Sequence, residues 1–326
     1  MMHKNNQPTL TRRDFTRLAL AGVPASVLLS RLPLSAAAKI NSRINGVQIG
    51  AITYSFRAIT EAEEIIKAYV DIGLGEMELM SNHAEQLAGA PRAGRGGGRR
   101  GTPLTAEQQA ERDAAIKAFN DWRKSATEAT FKPVRKKIED AGIELKLLCY
   151  NMNVKTTQDD EIEYAFRMAK SLGVDAISTS TQVSMAKRLA PFADKHKMRV
   201  GFHGHANTTN PDEVATPESF EAVMAASKYL GANLDVGHYT EAGYDPIPFL
   251  QKHHDRITNL HLKDMKKATN GGGYTPFGQG DAPLKDVLKL MQKTKWDIPV
   301  NIEFEYPGDA KVEVPKCLAF VKEALA

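Results

Sequence analysis

Ile257-Thr-Asn-Leu-His-Leu-Lys-Asp264 is the stretch whose reading decides the fold. Ile257 and Leu260 mark a short apolar strand, and side chains two apart on a strand share a face, so His261 and Lys263 point to one place. An imidazole and an ammonium are costly to bury together, which gives the stretch a chemical task. Three other strand-like stretches end the same way: Val200-Gly-Phe-His-Gly-His205, Ala232-Asn-Leu-Asp-Val-Gly-His238 and Val300-Asn-Ile-Glu-Phe-Glu305. Each is apolar and then turns abruptly to His, Asp or Glu. Imidazoles and carboxylates gathered from four strands form the donor set of a divalent metal: Mn, Co, Zn, Fe or Mg.

Outward from that stretch, strand and helix signals alternate. Strands are expected at 47–54, 76–80, 143–150, 175–179, 198–203, 233–236, 257–262 and 298–304, each an apolar or β-branched run. Helices are expected at 60–73, 131–142, 158–173, 183–196, 217–231, 245–254, 283–294 and 309–325, several opened by Thr, Asp or Pro and several closed by Gly. Eight strand–helix units without a change of pattern predict a closed parallel (β/α)8 TIM barrel in one domain. An open sheet would scatter the four polar strand ends along an edge, whereas a barrel gathers them round one mouth.

The N-terminus reads differently. Thr11-Arg-Arg-Asp-Phe-Thr-Arg17, the apolar run from Leu18 to Leu29 and the small residues Ala36-Ala37-Ala38 follow the order of a twin-arginine signal peptide. The expectation is cleavage after Ala38, use of the twin-arginine export machinery, and a periplasmic or otherwise exported protein. The apolar run is short for a membrane span, so no stable membrane insertion is expected after cleavage. Residues 39–326 form the barrel, a length that suits a fold of about 250 residues.

Charge also divides at that point. The chain has 43 Lys and Arg against 39 Asp and Glu. Lys4, Arg12, Arg13, Arg17, Arg31 and the single acid Asp14 precede Lys39, so the remainder carries 38 of each sign. A formally neutral body gives no support for nucleic-acid binding. The two cysteines, Cys149 and Cys317, read as buried free thiols.

One segment breaks the repeat after the second strand. Residues 89–101 are rich in glycine and arginine and too poor in apolar side chains to pack, and a polar helical pattern runs from Thr105 to about Ser125. Residues 89–125 therefore read as a flexible insertion with a cover helix on the catalytic side. A glycine-rich loop at 271–280 is expected beside the substrate.

Val47 to Arg57, Glu76-Met-Glu-Leu79, His203-Gly-His205, Leu234-Asp-Val-Gly-His238, His261-Leu-Lys-Asp264 and Ile302-Glu303 together resemble the xylose isomerase-like TIM-barrel superfamily, the sugar phosphate isomerase/epimerase group. That resemblance implies a divalent metal held by residues of strands five to eight, at the positions of His203, Asp235, His261 and Glu303. His203 stands where many epimerases carry a glutamate that both binds metal and moves a proton, and a ligated imidazole is a poor base. The acid–base set then comes from Glu305, His205 and Lys263. Glu305 is a base or a second ligand, His205 a supporting or substrate contact, and Lys263 a stabiliser of enolate charge or a partner of Asp264. His238 resembles the family's substrate-binding histidine. Glu78, Tyr54 and Arg57, at the ends of strands two and one, are candidates for sugar hydroxyls, as are Ser55, Asn151 and Asn153.

The expected function is a divalent-metal-dependent isomerase or epimerase of a small sugar, moving a proton next to a carbonyl through a metal-stabilised enediolate. A lyase or hydratase acting on oxidised (3-keto) glycosides is the alternative, and a non-catalytic periplasmic sugar-binding protein is the third. The partner expected is a small sugar or keto-sugar; oligomeric state is open.

Overall fold

The computed structural model describes residues 38–92 and 104–326. The stretch expected to direct export, up to residue 37, and residues 93–103 of the expected insertion lie outside them. Eight parallel strands form the centre: β1 (Val47–Ile52), β2 (Glu76–Met80), β3 (Glu144–Cys149), β4 (Ala176–Thr179), β5 (Arg199–His203), β6 (Leu230–Asp235), β7 (Ile257–Leu262) and β8 (Val300–Ile302). Neighbours in sequence are neighbours in the sheet, and β1 pairs with both β2 and β8, so the sheet closes into the expected barrel. A two-residue strand, Arg43–Ile44, adds antiparallel to β1.

Eleven helices are present among the described residues: α1 (Ala62–Ile72), α2 (Ser81–Leu87), α3 (Ala106–Ser125), α4 (Glu128–Asp140), α5 (Asp159–Leu172), α6 (Ala186–His196), α7 (Pro217–Ala226), α8 (Val236–Glu241), α9 (Pro246–His253), α10 (Leu284–Thr294) and α11 (Ala310–Leu325). Apolar faces of the outer helices, such as Ile65, Ala68 and Tyr69 on α1 or Val287, Leu288 and Met291 on α10, pack on the outward side chains of the strands. Both cysteines are buried and free.

Two local differences from the sequence reading have physical causes. The helix expected over 217–231 stops at Ala226, where Ser227 turns extended, and β6 begins at Leu230. Gly231, taken as a helix-closing glycine, lies inside β6, where a Cβ would come 2.0 Å from the carbonyl oxygen of Arg256. Close backbone approach, not helix termination, requires that glycine. The sequence reading also lacked α2 and α8, both too short to show helical periodicity; each follows directly on the C-terminal end of a barrel strand.

The cover helix α3 is anchored from its last turn. Thr105 and Gln108 form a capping box at its start. At its end the Arg123 guanidinium grips the buried Glu85 carboxylate of α2 through Nε and Nη2, at 2.7 and 3.2 Å, and reaches Glu161 of α5 at 3.1 Å. No helix of the described residues is long and apolar enough to cross a membrane.

Candidate metal centre

The barrel interior is polar to an unusual depth. Gly50 of β1 has no side chain, and a Cβ there would sit 1.8 Å from the Glu76 carboxylate, so the glycine makes room for a fully buried acid. Asn301 Nδ2 donates to Glu76 at 2.9 Å. Burial pushes the Glu76 carboxyl well above its ordinary range; the Asn301 hydrogen bond opposes this and the neighbouring Glu78 reinforces it.

One layer toward the C-terminal ends, Glu78 accepts from Asn259 Nδ2 at 3.0 Å and from Ser178 Oγ, and its Oε2 lies 2.8 Å from His261 Nε2. Glu78 is wholly buried beneath the mouth and does not line the cavity. The substrate-contact expectation for it is therefore corrected: its carboxylate is used up by protein donors.

Above this layer four side chains converge. Asp235 ends β6 in register with His261 of β7, His203 ends β5, and Glu303 follows β8 with its N–H donated to the Leu262 carbonyl. One donor atom from each lies within 4.8 Å of the others. His203 Nε2 is 3.3 Å from Asp235 Oδ2 and 3.6 Å from Glu303 Oε2, and His261 Nδ1 is 2.9 Å from Glu303 Oε2. All four atoms are buried and none makes a hydrogen bond of good geometry. Lone pairs aimed at a common point fit a cation: the Lys263 ammonium, 2.9 and 2.8 Å from the Asp235 and Glu303 oxygens, offsets part of the cost of burying the carboxylates, while the two imidazole nitrogens are left for a metal to use. Two imidazole nitrogens and two carboxylate oxygens suit zinc and its first-row neighbours.

Electrostatics keeps the acids ionised. Burial would raise Glu303 and Asp235, but the Lys263 ammonium and the nearby histidines outweigh it, and both carboxyls titrate below their ordinary range. Lys263 itself is 2% exposed, with Nζ at 2.9, 2.8 and 2.6 Å from Asp235, Glu303 and Glu305. Burial would lower it; those three carboxylates raise it instead, so it stays an ammonium. Asp264 plays no part in that pairing: its carboxylate accepts from the N–H groups of Gly278, Gly280 and Ala282.

The cavity over this cluster has a volume of about 220 Å³. Glu305, His205, His238, Lys263 and Tyr54, all candidates from the sequence, line it. His205 Nδ1 is 2.7 Å from Glu213 Oε1, which leaves its Nε2 as the free ring nitrogen. Burial, with His203 and His238 close by, pulls the His205 imidazole down to about 3, so it is neutral near pH 7. His238 is held by its place in the first turn of α8, where its N–H donates to Asp235 Oδ1 at 2.8 Å.

Arg57 is a second correction. Its guanidinium donates to the carbonyls of Phe304 at 2.6 Å and Glu305 at 3.1 Å, and it lines a neighbouring cavity, not this one. It braces the backbone that carries Glu305. Ser55 likewise bonds the β8 backbone at Ile302 and Phe304, and Asn153 holds its own turn, while Asn151 does line the cavity. Residues that the sequence reading missed are Glu213, Tyr274, Met80, Ser180 and Asn233. Tyr274 could have been found, because it sits in the glycine-rich loop already assigned to the substrate side; Glu213 carries no local signal.

Comparisons with known proteins agree with this architecture. A family model described as a xylose isomerase-like TIM barrel matches residues 109–324. An inosose dehydratase of Clostridium tetani is 27% identical over 135 residues, which cover 36% of this chain and 44% of that protein. The match thus spans less than half the length of such curated relatives. Among solved structures, the probable 3-DHS dehydratase AsbF of Bacillus anthracis has a TM-score of 0.58 at 17% identity, covering 85% of this chain and 97% of the other. The IOLI protein, a structure with a zinc atom, has a TM-score of 0.56 at 13% identity, covering 85% and 95%.

Proposed function

We propose, from the premise that this chain belongs to the xylose isomerase-like TIM-barrel family, that it is a metal-dependent lyase acting on a keto-sugar, removing a proton beside the carbonyl and expelling the substituent one carbon further on. The observation that carries this reading is the imidazole of His203 among the four converging donors, which leaves Glu305, paired with Lys263, as the cavity-lining carboxylate outside that donor set. Elimination needs a single base. The dehydratase names of the curated relatives fit the same outcome.

A divalent ion held by His203, Asp235, His261 and Glu303 would polarise the carbonyl as a Lewis acid, and zinc fits that donor set. Glu305 accepts the proton from the carbon beside the carbonyl and returns it to the departing oxygen. One C–H and one C–O bond break and one C=C bond forms, so the proton count closes on one side chain. Lys263, fixed as an ammonium by three carboxylates, supplies positive charge where the carbonyl oxygen gains negative charge. Tyr54, His238 and Tyr274 line the space left for the sugar hydroxyls.

An isomerase or epimerase is the second reading, and the His205–Glu213 pair favours it: a neutral imidazole with one nitrogen held is a second proton carrier on the same cavity. Turnover of 3-keto glycosides in deuterium oxide separates the two. The lyase releases the substituent and yields an unsaturated keto-sugar. Product of unchanged composition that carries deuterium beside the carbonyl would overturn the lyase in favour of the isomerase, and binding with neither result would leave a sugar-binding protein.

A further inference from the structure

A second cavity of about 570 Å³ adjoins the first, and Tyr54 and Met80 line both. The inner cavity is smaller than the roughly 300–1,000 Å³ usual for ligand sites, enough for one sugar ring, whereas the outer one lies within that range. The outer space lies between the strand-one loop, α2 and the cover helix α3, which contributes Phe119.

Most polar groups around it are already engaged. Arg57 is spent on backbone carbonyls, Gln86 on the Ala62 N–H and the Thr60 carbonyl, Glu85 on Arg123 and Tyr164, and Arg92 on Glu61. Thr60, Asn82 and His83 add polar atoms to the wall, and the rest of what a ligand meets is carbon: the rings of Tyr54 and Phe119, with Met80 and Ala90. Phe119 is fixed for that purpose, with the Arg123 guanidinium 4.5 Å from its ring centroid on one side and Trp122 stacked at 6.5 Å.

We infer that this outer cavity is a subsite for an aromatic aglycone carried on the reacting sugar, so that the substrate class is an aryl keto-glycoside. This rests on the reading that the inner cavity holds the sugar. An aromatic ring gains area burial and ring–ring contact on that carbon. A second sugar ring would set more hydroxyls against carbon than Asn82 and Thr60 can meet.

The test uses the full chain and two glycosides that need no turnover, phenyl and methyl β-glucoside, with dissociation constants from calorimetry. The phenyl compound is expected to bind about tenfold tighter. Phe119→Ala removes a wall and Ala90→Trp fills the space; each should abolish that preference and leave methyl glucoside within about twofold. Two variants of opposite volume guard against a folding artefact in either. Equal binding of the two glycosides by the unaltered chain, or a preference that survives both variants, overturns the subsite. Turnover of the 3-keto forms is read separately. A phenyl preference without turnover keeps the subsite and rejects the lyase, and turnover of both keto forms with equal kcat/KM rejects the subsite alone.

Discussion

Glu78 Oε2 and His261 Nε2 lie 2.8 Å apart, both buried, one layer beneath the four converging donor atoms. This contact decides which ring nitrogen serves which purpose. With Nε2 held by a carboxylate, Nδ1 is the nitrogen that faces Glu303 and the cluster. Glu78→Gln keeps the shape and removes the anion, and should weaken metal affinity about 10–100-fold, measured by competition with a chromophoric chelator. Unchanged affinity would show that the tautomer is set elsewhere.

Substitution of Asp235, His261 or Glu303 by Ala should lower metal content and turnover together while far-UV circular dichroism stays that of a folded barrel. His203→Ala should do the same, with the rate partly restored by added metal. Full occupancy in all four inactive variants would place the ion at another site.

Glu305→Gln is expected to behave differently from those four. The amide fills the same space beside Lys263 but cannot take a proton, so turnover should fall by about 100-fold or more with metal content nearly kept. Loss of metal in this variant would make Glu305 a ligand and return the proton transfer to His205.

Glu76 predicts a pH dependence of stability. Its carboxyl is raised in the folded protein by burial, against an ordinary value of 4.5. The folded state therefore keeps a proton that the unfolded state releases, and stability is fully present below pH 4.5 and declines as pH rises toward the folded-state pKa. The slope is at most about 1.4 kcal/mol per pH unit in that window. Glu76→Gln retains an acceptor for Asn301 and should flatten this slope, raising Tm at pH 8 relative to the unaltered chain. Parallel Tm profiles for the two proteins from pH 5 to 8 would exclude Glu76 as the source.

For the N-terminal segment we propose export by the twin-arginine route. Arg12→Lys with Arg13→Lys should hold the precursor in the cytoplasm, because lysine lacks the planar guanidinium fork. Undiminished delivery on cell fractionation would reject the assignment.

The sequence by itself determined the barrel and the polar ends of its strands. Period-two placement of His261 and Lys263, and the repetition of the same apolar-to-polar ending on three more strands, are local properties of the chain. Register then follows from closure, since eight neighbouring parallel strands bring those endings to one mouth. Short-range pattern also located α3, through its Thr105 cap. What lay beyond it were the partners that only three dimensions bring together. Glu78 looked like a wall residue because its strand position matches the site's, yet a bulge in the β2–β3 register and the depth of the barrel place it under His261. Arg57 looked like a hydroxyl contact until the carbonyls of β8's extension, nearly 250 residues away in sequence, claimed its donors. Gly50 and Glu76 fit each other by volume, and Glu213 reaches His205 across a loop; neither pairing leaves a trace in spacing or composition. The outer cavity belongs to the same class, formed where Tyr54, α2 and α3 meet, because an empty volume is a property of packed surfaces and no single stretch of chain encodes it.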